Sequence, residues 1–402
     1  MRKGNSGVSA GRKRRDGALR IVMLGHKRIP SREGGIEIVV DELASRMAEK
    51  GFAVTCINRG GHHVSGRQFD EARRKEYRGI RLITVPTIDK RGLAAVSASF
   101  FGSLAAAFGP WDIVHFHAEG PCAFLWIPKL TGKKCIATIH GLDWKRAKWG
   151  RFASWFIRTG EKTAARFADA VIVLNRNEQD YFLERYGRKT VCIPNGVTRP
   201  RIAGADRIRE KWGLEKDGYL LYLSRLVPEK GLGYLVRAFQ KLDTEKRLVI
   251  AGGDSDAPDF VREIKALAAS DPRILFTGFV QGQELEELYS NAYLYLLPSD
   301  VEGMPLSLLE AMSYGNCCVT SDIRECTDVT GKWGFSFEKG NEDALRELLQ
   351  ELCGDPGKVR EIRAGAADAV CGKYSWEDAA EKNLKVYRRV LAGKKAGSEQ
   401  SI

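Results

Sequence analysis

The sequence has no C-x-x-C pair, no Walker A loop, no G-x-G-x-x-G fingerprint and no apolar run long enough to cross a bilayer. Each absence removes a class of protein. Without paired cysteines, neither a zinc ribbon nor a thioredoxin-type redox site is indicated. The nine cysteines, Cys56, Cys122, Cys135, Cys192, Cys317, Cys318, Cys326, Cys353 and Cys371, are scattered and odd in number, and read as reduced thiols, mostly small buried hydrophobes. The missing Gly-rich fingerprints argue against a P-loop and against the usual dinucleotide-binding turn. With no stretch of roughly 18 apolar residues, no membrane-spanning helix is expected. The polar start Met1-Arg2-Lys3-Gly4 lacks the apolar region of a secretory signal, so the reading is a cytoplasmic protein.

What is present is an ordinary globular balance, 44% hydrophobic and 29% charged over 402 residues, enough for two or three domains and a sizeable core. The net charge of +13 is unevenly placed. Residues 1–198 carry 35 Lys+Arg against 18 Asp+Glu, and the remainder 29 against 33. A basic first half points to an anionic surface as partner, membrane headgroups or nucleic acid.

Along the chain, residues 1–17 form a basic tail expected to be disordered. Strand and helix patterns then alternate. Strands are expected at Leu19–Gly25, Phe52–Ile57, Ile80–Val85, Ile113–Phe116, Cys135–Ile139, Ala170–Leu174 and Val191–Ile193, with helices at Ile36–Glu49 and Leu93–Phe108. After the turn Pro194-Asn195-Gly196-Val197 the alternation restarts, with strands at Tyr219–Leu223, Leu248–Ala251, Ile274–Thr277, Tyr293–Leu297 and Cys318–Ser321. Helices at Leu232–Lys241, Phe260–Ala269, Glu284–Asn291 and Pro305–Ser313 fall between or beside them. The pattern predicts an α/β fold of two Rossmann-like, doubly wound parallel-sheet lobes, residues 18–196 and 197–375, facing across a cleft. A last helix, 376–392, crosses back to the first lobe, and 393–402 is a polar tail. Ligands in such folds bind outside the carboxyl ends of the strands, where the motifs cluster.

The densest motif is Ser299-Asp300-Val301-Glu302-Gly303-Met304-Pro305-Leu306-Ser307-Leu308-Leu309-Glu310. An apolar strand ends at Leu297, Gly303 allows close approach, and Pro305 takes a first helical position. Backbone N–H groups at a helix start suit a phosphate. Glu302 before the helix and Glu310 within it are spaced to grip hydroxyls on either side of that phosphate. The segment resembles the E-x7-E signature of retaining GT-B glycosyltransferases, family 4. The resemblance implies that Glu302 contacts a donor sugar and Glu310 a ribose, with Gly303, Met304, Pro305 and Leu306 setting backbone against the phosphates.

Other segments join it. Ser224-Arg225-Leu226-Val227-Pro228-Glu229-Lys230-Gly231 follows a strand and offers two cations, Arg225 and Lys230, suited to a diphosphate leaving group. It is similar to the family's Arg/Lys pair for that role, whereas a surface loop with a salt bridge to Glu229 is the structural alternative. Gly278-Phe279-Val280 follows another strand; Val280 is either a backbone edge for the nucleobase, as the family implies, or core. Gly34-Gly35 lies between the first strand and its helix, allowing close backbone approach to an anion or sugar. The stretch Gly25 to Glu42 around it resembles a rhamnosyltransferase-like subgroup. His140-Gly141 ends a strand at the cleft, and the resemblance implies that His140 contacts the donor sugar near its reacting carbon. His115 and His117 alternate onto one face and read as cleft lining or packing, with no third metal ligand. His62-His63 sits in a polar loop, and Asp143 is an acceptor-side candidate.

Residues 144–167 interleave Lys145, Arg146, Lys148, Arg151, Arg158, Lys162 and Arg166 with Trp149, Phe152, Trp155 and Phe156. That suits a helix lying on anionic lipid, peripheral on the inner face of the cell membrane, or one packed on its own lobe with a solvated basic face. No nucleic-acid motif accompanies it, so nucleic acid is not an expected partner. The expected function is transfer of a sugar from a nucleotide-diphosphate donor to a hydroxyl of a saccharide or lipid-linked acceptor, with retention of anomeric configuration and without a metal or other cofactor. A different GT-B enzyme such as a sugar-nucleotide epimerase, and a non-catalytic membrane-surface binding protein, are the competing readings.

Overall fold

Short apolar and β-branched runs, buried on both faces, build two separate parallel sheets, as continuous hydrophobic strands between helices must. The computed structural model describes residues 19–62, 74–88, 90, 92–145, 150–253 and 257–393. The tails expected at 1–17 and 393–402 lie outside these residues except for Gly393, as do His63, Arg146, Lys148 and Trp149.

The first sheet contains β1 (Arg20–Leu24), β2 (Ala53–Arg59), β3 (Glu76–Tyr77), β4 (Ile80–Val85), β5 (Ile113–His117), β6 (Lys134–Thr138), β7 (Ala170–Val173) and β8 (Val191–Cys192). Their order is β3-β4-β2-β1-β5-β6-β7-β8. Ile21 pairs in parallel with Val54 on one side and Ile113 on the other. One short strand departs from the expected parallel pattern. β3 runs antiparallel to β4 through a tight turn in which Arg78 and Gly79 both have positive φ. Two residues of strand are too short for a periodic signal, so the sequence reading lacked it.

The second sheet contains β9 (Tyr219–Leu223), β10 (Arg247–Ala251), β11 (Ile274–Gly278), β12 (Leu294–Leu297), β13 (Cys317–Ser321) and β14 (Gly334–Phe337), in the order β11-β10-β9-β12-β13-β14, all parallel. Strand order reverses between β1 and β5 in the first sheet and between β9 and β12 in the second. At such a reversal the flanking connections leave toward opposite faces and open a crevice at the strand ends. The loops after β1, β9 and β12 are the ones that carry Gly34-Gly35, Arg225 with Lys230, and Glu302 with Gly303.

One apolar core runs through both lobes, joining Ile21, Val40 and Met47 of the first to Tyr295, Met304 and Leu308 of the second. The outer faces have their own cores, around Val114 and Phe116 and around Leu235 and Phe239. Trp376–Leu391, the last helix, packs on Gly35–Glu49, with Lys50 Nζ 2.6 Å from Glu377 and Tyr387 buried among first-lobe side chains. All nine cysteines are free thiols, six of them buried. Burial pushes the thiols of Cys56 and Cys318 up and that of Cys135 to about 12, which leaves them inert as nucleophiles. Among the described residues no helix is long and apolar enough to cross a membrane.

Candidate active site

Gly231 sets the geometry of the second-lobe loops. Its φ is +68°, and a Cβ there would meet the Pro298 carbonyl oxygen at 1.8 Å. Only glycine lets the loop after β9 lie directly on the loop after β12. The single 3-10 turn Pro228–Lys230 then aims Lys230 at Glu302, Nζ to Oε1 2.5 Å, with the two side chains 11% and 6% exposed. The predicted alternative of a local bridge to Glu229 is not the one formed. Arg225, half-buried, belongs to the same loop.

The helix after β12 begins at Leu306, so Pro305 is its N-cap and not its first helical residue. The Pro305 carbonyl accepts from Leu308 N and Leu309 N at 3.2 Å each, and proline's lack of an N–H costs nothing at a cap. The first two N–H groups of the helix, those of Leu306 and Ser307, lie ahead of any carbonyl an α-helix could offer them. Val280 is 8% exposed and belongs to the shared core, so its side chain packs and only backbone is left at that edge.

Across the cleft, Gly303 meets the first lobe. A Cβ at Gly303 would lie 2.3 Å from the His140 carbonyl oxygen and 2.9 Å from Gly141 Cα. His140-Gly141 therefore lies against the start of the second-lobe helix. Asn175 Nδ2 donates to the Gly303 carbonyl at 2.9 Å, and Asn195 donates from Nδ2 to the Met304 carbonyl at 3.3 Å. Gly35 faces Leu306, Cδ1 3.5 Å from where its Cβ would be. Arg32 forms an ion pair with Glu310, whose other oxygen accepts from the Tyr289 hydroxyl at 3.2 Å. The structure thus brings Gly34-Gly35, His140, Lys230, Glu302, Gly303–Leu306 and Glu310 to one seam between the lobes.

Behind His140 lies a buried row of imidazoles. His117 Nδ1 is 3.1 Å from His140 Nε2, and the His115 and His117 rings are 4.2 Å apart. His115 is held at both nitrogens, by the Tyr387 hydroxyl at 2.6 Å and Thr138 Oγ1 at 2.7 Å. Burial lowers the His115 imidazole to about 3 and holds His117 well below the usual histidine range. Among the described residues no group of three His, Cys, Asp or Glu side chains could hold a metal ion. His62 is exposed, its carbonyl accepting from Arg28.

The loop after His140 is anchored by two buried glutamates. Glu119 Oε2 accepts from Asp143 N at 2.9 Å, and Glu161 accepts from Trp144 Nε1 and the Tyr181 and Tyr186 hydroxyls. Burial, then the neighbouring Glu161 carboxyl, pushes the Glu119 carboxyl well up. Gly160 permits this packing, since a Cβ there would sit 1.9 Å from the Glu119 carbonyl. The 144–167 stretch becomes a turn at Asp143–Lys145 and a helix at Arg151–Phe167. Trp144 turns inward under Arg158, 4.2 Å from its ring, while Phe152 and Trp155 stay exposed.

Sequence reasoning missed Arg32, Tyr289, Asn175 and Asn195 as cleft residues. Arg32 stood two positions before a glycine pair already singled out, and Asn195 within a recognised turn. No local signal marked their partners.

Comparison with known proteins identifies the family and the fold. The model of the Glycosyltransferase Family 4 domain matches residues 33–199, and that of Glycosyl transferases group 1 matches residues 204–369. A D-inositol 3-phosphate glycosyltransferase from Xylanimonas cellulosilytica is 27% identical over 88% of this chain and 91% of its own. Sucrose-phosphate synthase from Thermosynechococcus elongatus superposes with a TM-score of 0.78 at 20% identity, over 94% of this chain and all of the other. Anabaena HepE in complex with UDP-glucose gives 0.76 at 17% identity, over 92% and 99%.

Proposed function

The chain belongs to the family 4 glycosyltransferases of GT-B fold, and from that premise we propose how its cleft transfers a sugar from a nucleoside-diphosphate donor to a hydroxyl acceptor. The observation that carries the reading is the buried Lys230–Glu302 pair beside the helix start at Leu306, with His140-Gly141 opposite. The donor diphosphate lies at that helix start, against the backbone of Gly303, Met304, Pro305 and Leu306. Arg225 and Lys230 stabilise the charge that develops on it as the glycosidic bond breaks. Glu302 turns from Lys230 to the sugar, and Glu310 turns from Arg32 to the ribose hydroxyls. His140 contacts the sugar near its reacting carbon, Gly34-Gly35 closes over the donor from the first lobe, and the backbone at Val280 edges the nucleobase. The acceptor attacks on the face the diphosphate leaves. Attack on that same face retains the anomeric configuration, and the leaving phosphate takes the acceptor proton.

The acceptor is a saccharide or lipid-linked intermediate, a reading supported by the Mycolicibacterium smegmatis relative named as a GDP-mannose-dependent phosphatidylinositol monomannoside mannosyltransferase, 26% identical over 86% of this chain. The rhamnosyltransferase-like reading of Gly25–Glu42 makes dTDP-rhamnose one donor to try. No metal is required in this scheme. Asp254-Ser255-Asp256 does carry D-x-D spacing, within residues outside those described, so the assay includes a chelator. The test is acceptor-dependent release of nucleoside diphosphate in EDTA, with the product anomer read by NMR. Inversion would refute the front-face route, and loss of rate in EDTA would refute metal independence.

The exposed Phe152 and Trp155, beside Arg151, Arg158 and Lys162, support docking of this helix on anionic lipid. Phe152→Ser with Trp155→Ser is expected to weaken co-sedimentation with phosphatidylserine vesicles at least about tenfold, each buried aromatic being worth roughly 1.5–3 kcal/mol. Equal sedimentation of wild type and variant would remove this surface from the account.

A further inference from the structure

We propose that His117 is a positioning residue that fixes which nitrogen of His140 carries the proton, resting on the reading of His140 as the donor-sugar contact. His117 is fully buried, and its Nδ1 lies 3.1 Å from His140 Nε2 with the two rings stacked at 29°. Its other nitrogen, Nε2, is buried without a hydrogen-bond partner.

That orphan decides the arrangement. A neutral imidazole has one N–H and one bare nitrogen. A buried N–H with no partner is dearer than a buried lone pair with none. The proton of His117 therefore sits on Nδ1 and is donated to His140 Nε2, and the orphaned Nε2 is a lone pair. The same rule is obeyed nearby. Ile29 N donates to Asn58 Oδ1 at 3.1 Å, which fixes the amide, so His26 Nε2 donates to that oxygen and its orphaned Nδ1 is again a lone pair. His117 stays neutral because burial disfavours its charged form, and the facing imidazoles of His115, His140 and His26 add to that.

With Nε2 occupied as an acceptor, His140 carries its proton on Nδ1 and offers the bound sugar a donor there. His115 backs the row, clamped by Thr138 and by Tyr387 of the last helix, so the ring stack cannot slide. Supporting groups that orient a working imidazole are worth roughly 10–100-fold in metal sites.

The experiment is 15N-histidine NMR on the full chain, with donor kinetics on the same samples. Wild type is expected to show His140 in the Nδ1–H form. His117→Leu removes the donated proton, and His140 should shift toward Nε2–H, with kcat reduced about tenfold or more and donor KM little changed. His117→Asn, whose amide N–H takes the place of Nδ1–H, should restore both. An Nε2–H His140 in wild type, an unchanged tautomer in folded His117→Leu, or a shift to Nε2–H in His117→Asn overturns the proposal. If His117→Leu does not fold, the wild-type spectrum and His117→Asn decide it alone. His140→Ala separates the two claims: full transfer by that variant defeats the reading of His140 and leaves the tautomer assignment standing.

Discussion

Lys230→Ala is expected to lower kcat by roughly 10²–10³-fold, the cost of removing one preorganised donor from a developing oxyanion, about 2.7–4 kcal/mol. The effect should be at the upper end, because the group is a full charge in a site from which water is largely excluded: the side chain is 11% exposed. A second consequence follows from the same burial. Glu302 is 6% exposed, so removing its partner strands a carboxylate, which for a buried pair costs about 3–5 kcal/mol of stability. Low activity alone could then report unfolding. The double variant Lys230→Met with Glu302→Gln removes both charges and should recover most of the melting temperature while leaving transfer as low as the single change. Kinetics with melting curves on both proteins check this. Near-wild-type kcat in Lys230→Ala would remove the lysine from the leaving-group role.

Gly303→Ala is expected to lower kcat/KM about 100-fold. The added Cβ would meet the His140 carbonyl oxygen at 2.3 Å, its carbon at 2.8 Å and Gly141 Cα at 2.9 Å, all backbone atoms. No rotamer change relieves that, so the seam opens. Displacing reacting groups by about 1 Å is enough for a loss of that size. The collision lies between lobes and not within either sheet, so circular dichroism should be unchanged. A Gly303→Ala enzyme with wild-type kcat/KM would show that the seam is not the site.

The strands were legible because parallel sheets bury both faces, which leaves uninterrupted runs such as Tyr219–Leu223 and Ala170–Val173. Helices dominated by charge, such as Arg176–Tyr186, offered little apolar periodicity and were not anticipated; that one is defined by its Asn175 cap. Pro305 was misplaced by one residue because both the cap and the first helical position suit proline. The motif loops were legible as chemistry, and the strand order explains why they meet. What no local pattern could give is pairing at a distance. Arg32 and Glu310 are 278 residues apart, and their ion pair exists only because two sheets face each other. His117 read as packing, and its contact with His140 depends on the register that sets β5 beside β6.

The central claim is that Lys230, Glu302 and Glu310 grip the shared parts of a sugar nucleotide. Its most direct test is a thermal-shift panel of UDP-, GDP-, ADP- and dTDP-sugars against wild type and Glu310→Ala. One nucleotide class should stabilise the wild type, by about 2.7 kcal/mol at a hundredfold excess over Kd, with most of that shift lost in Glu310→Ala. No shift with any of the four, or an equal shift in both proteins, would contradict the account.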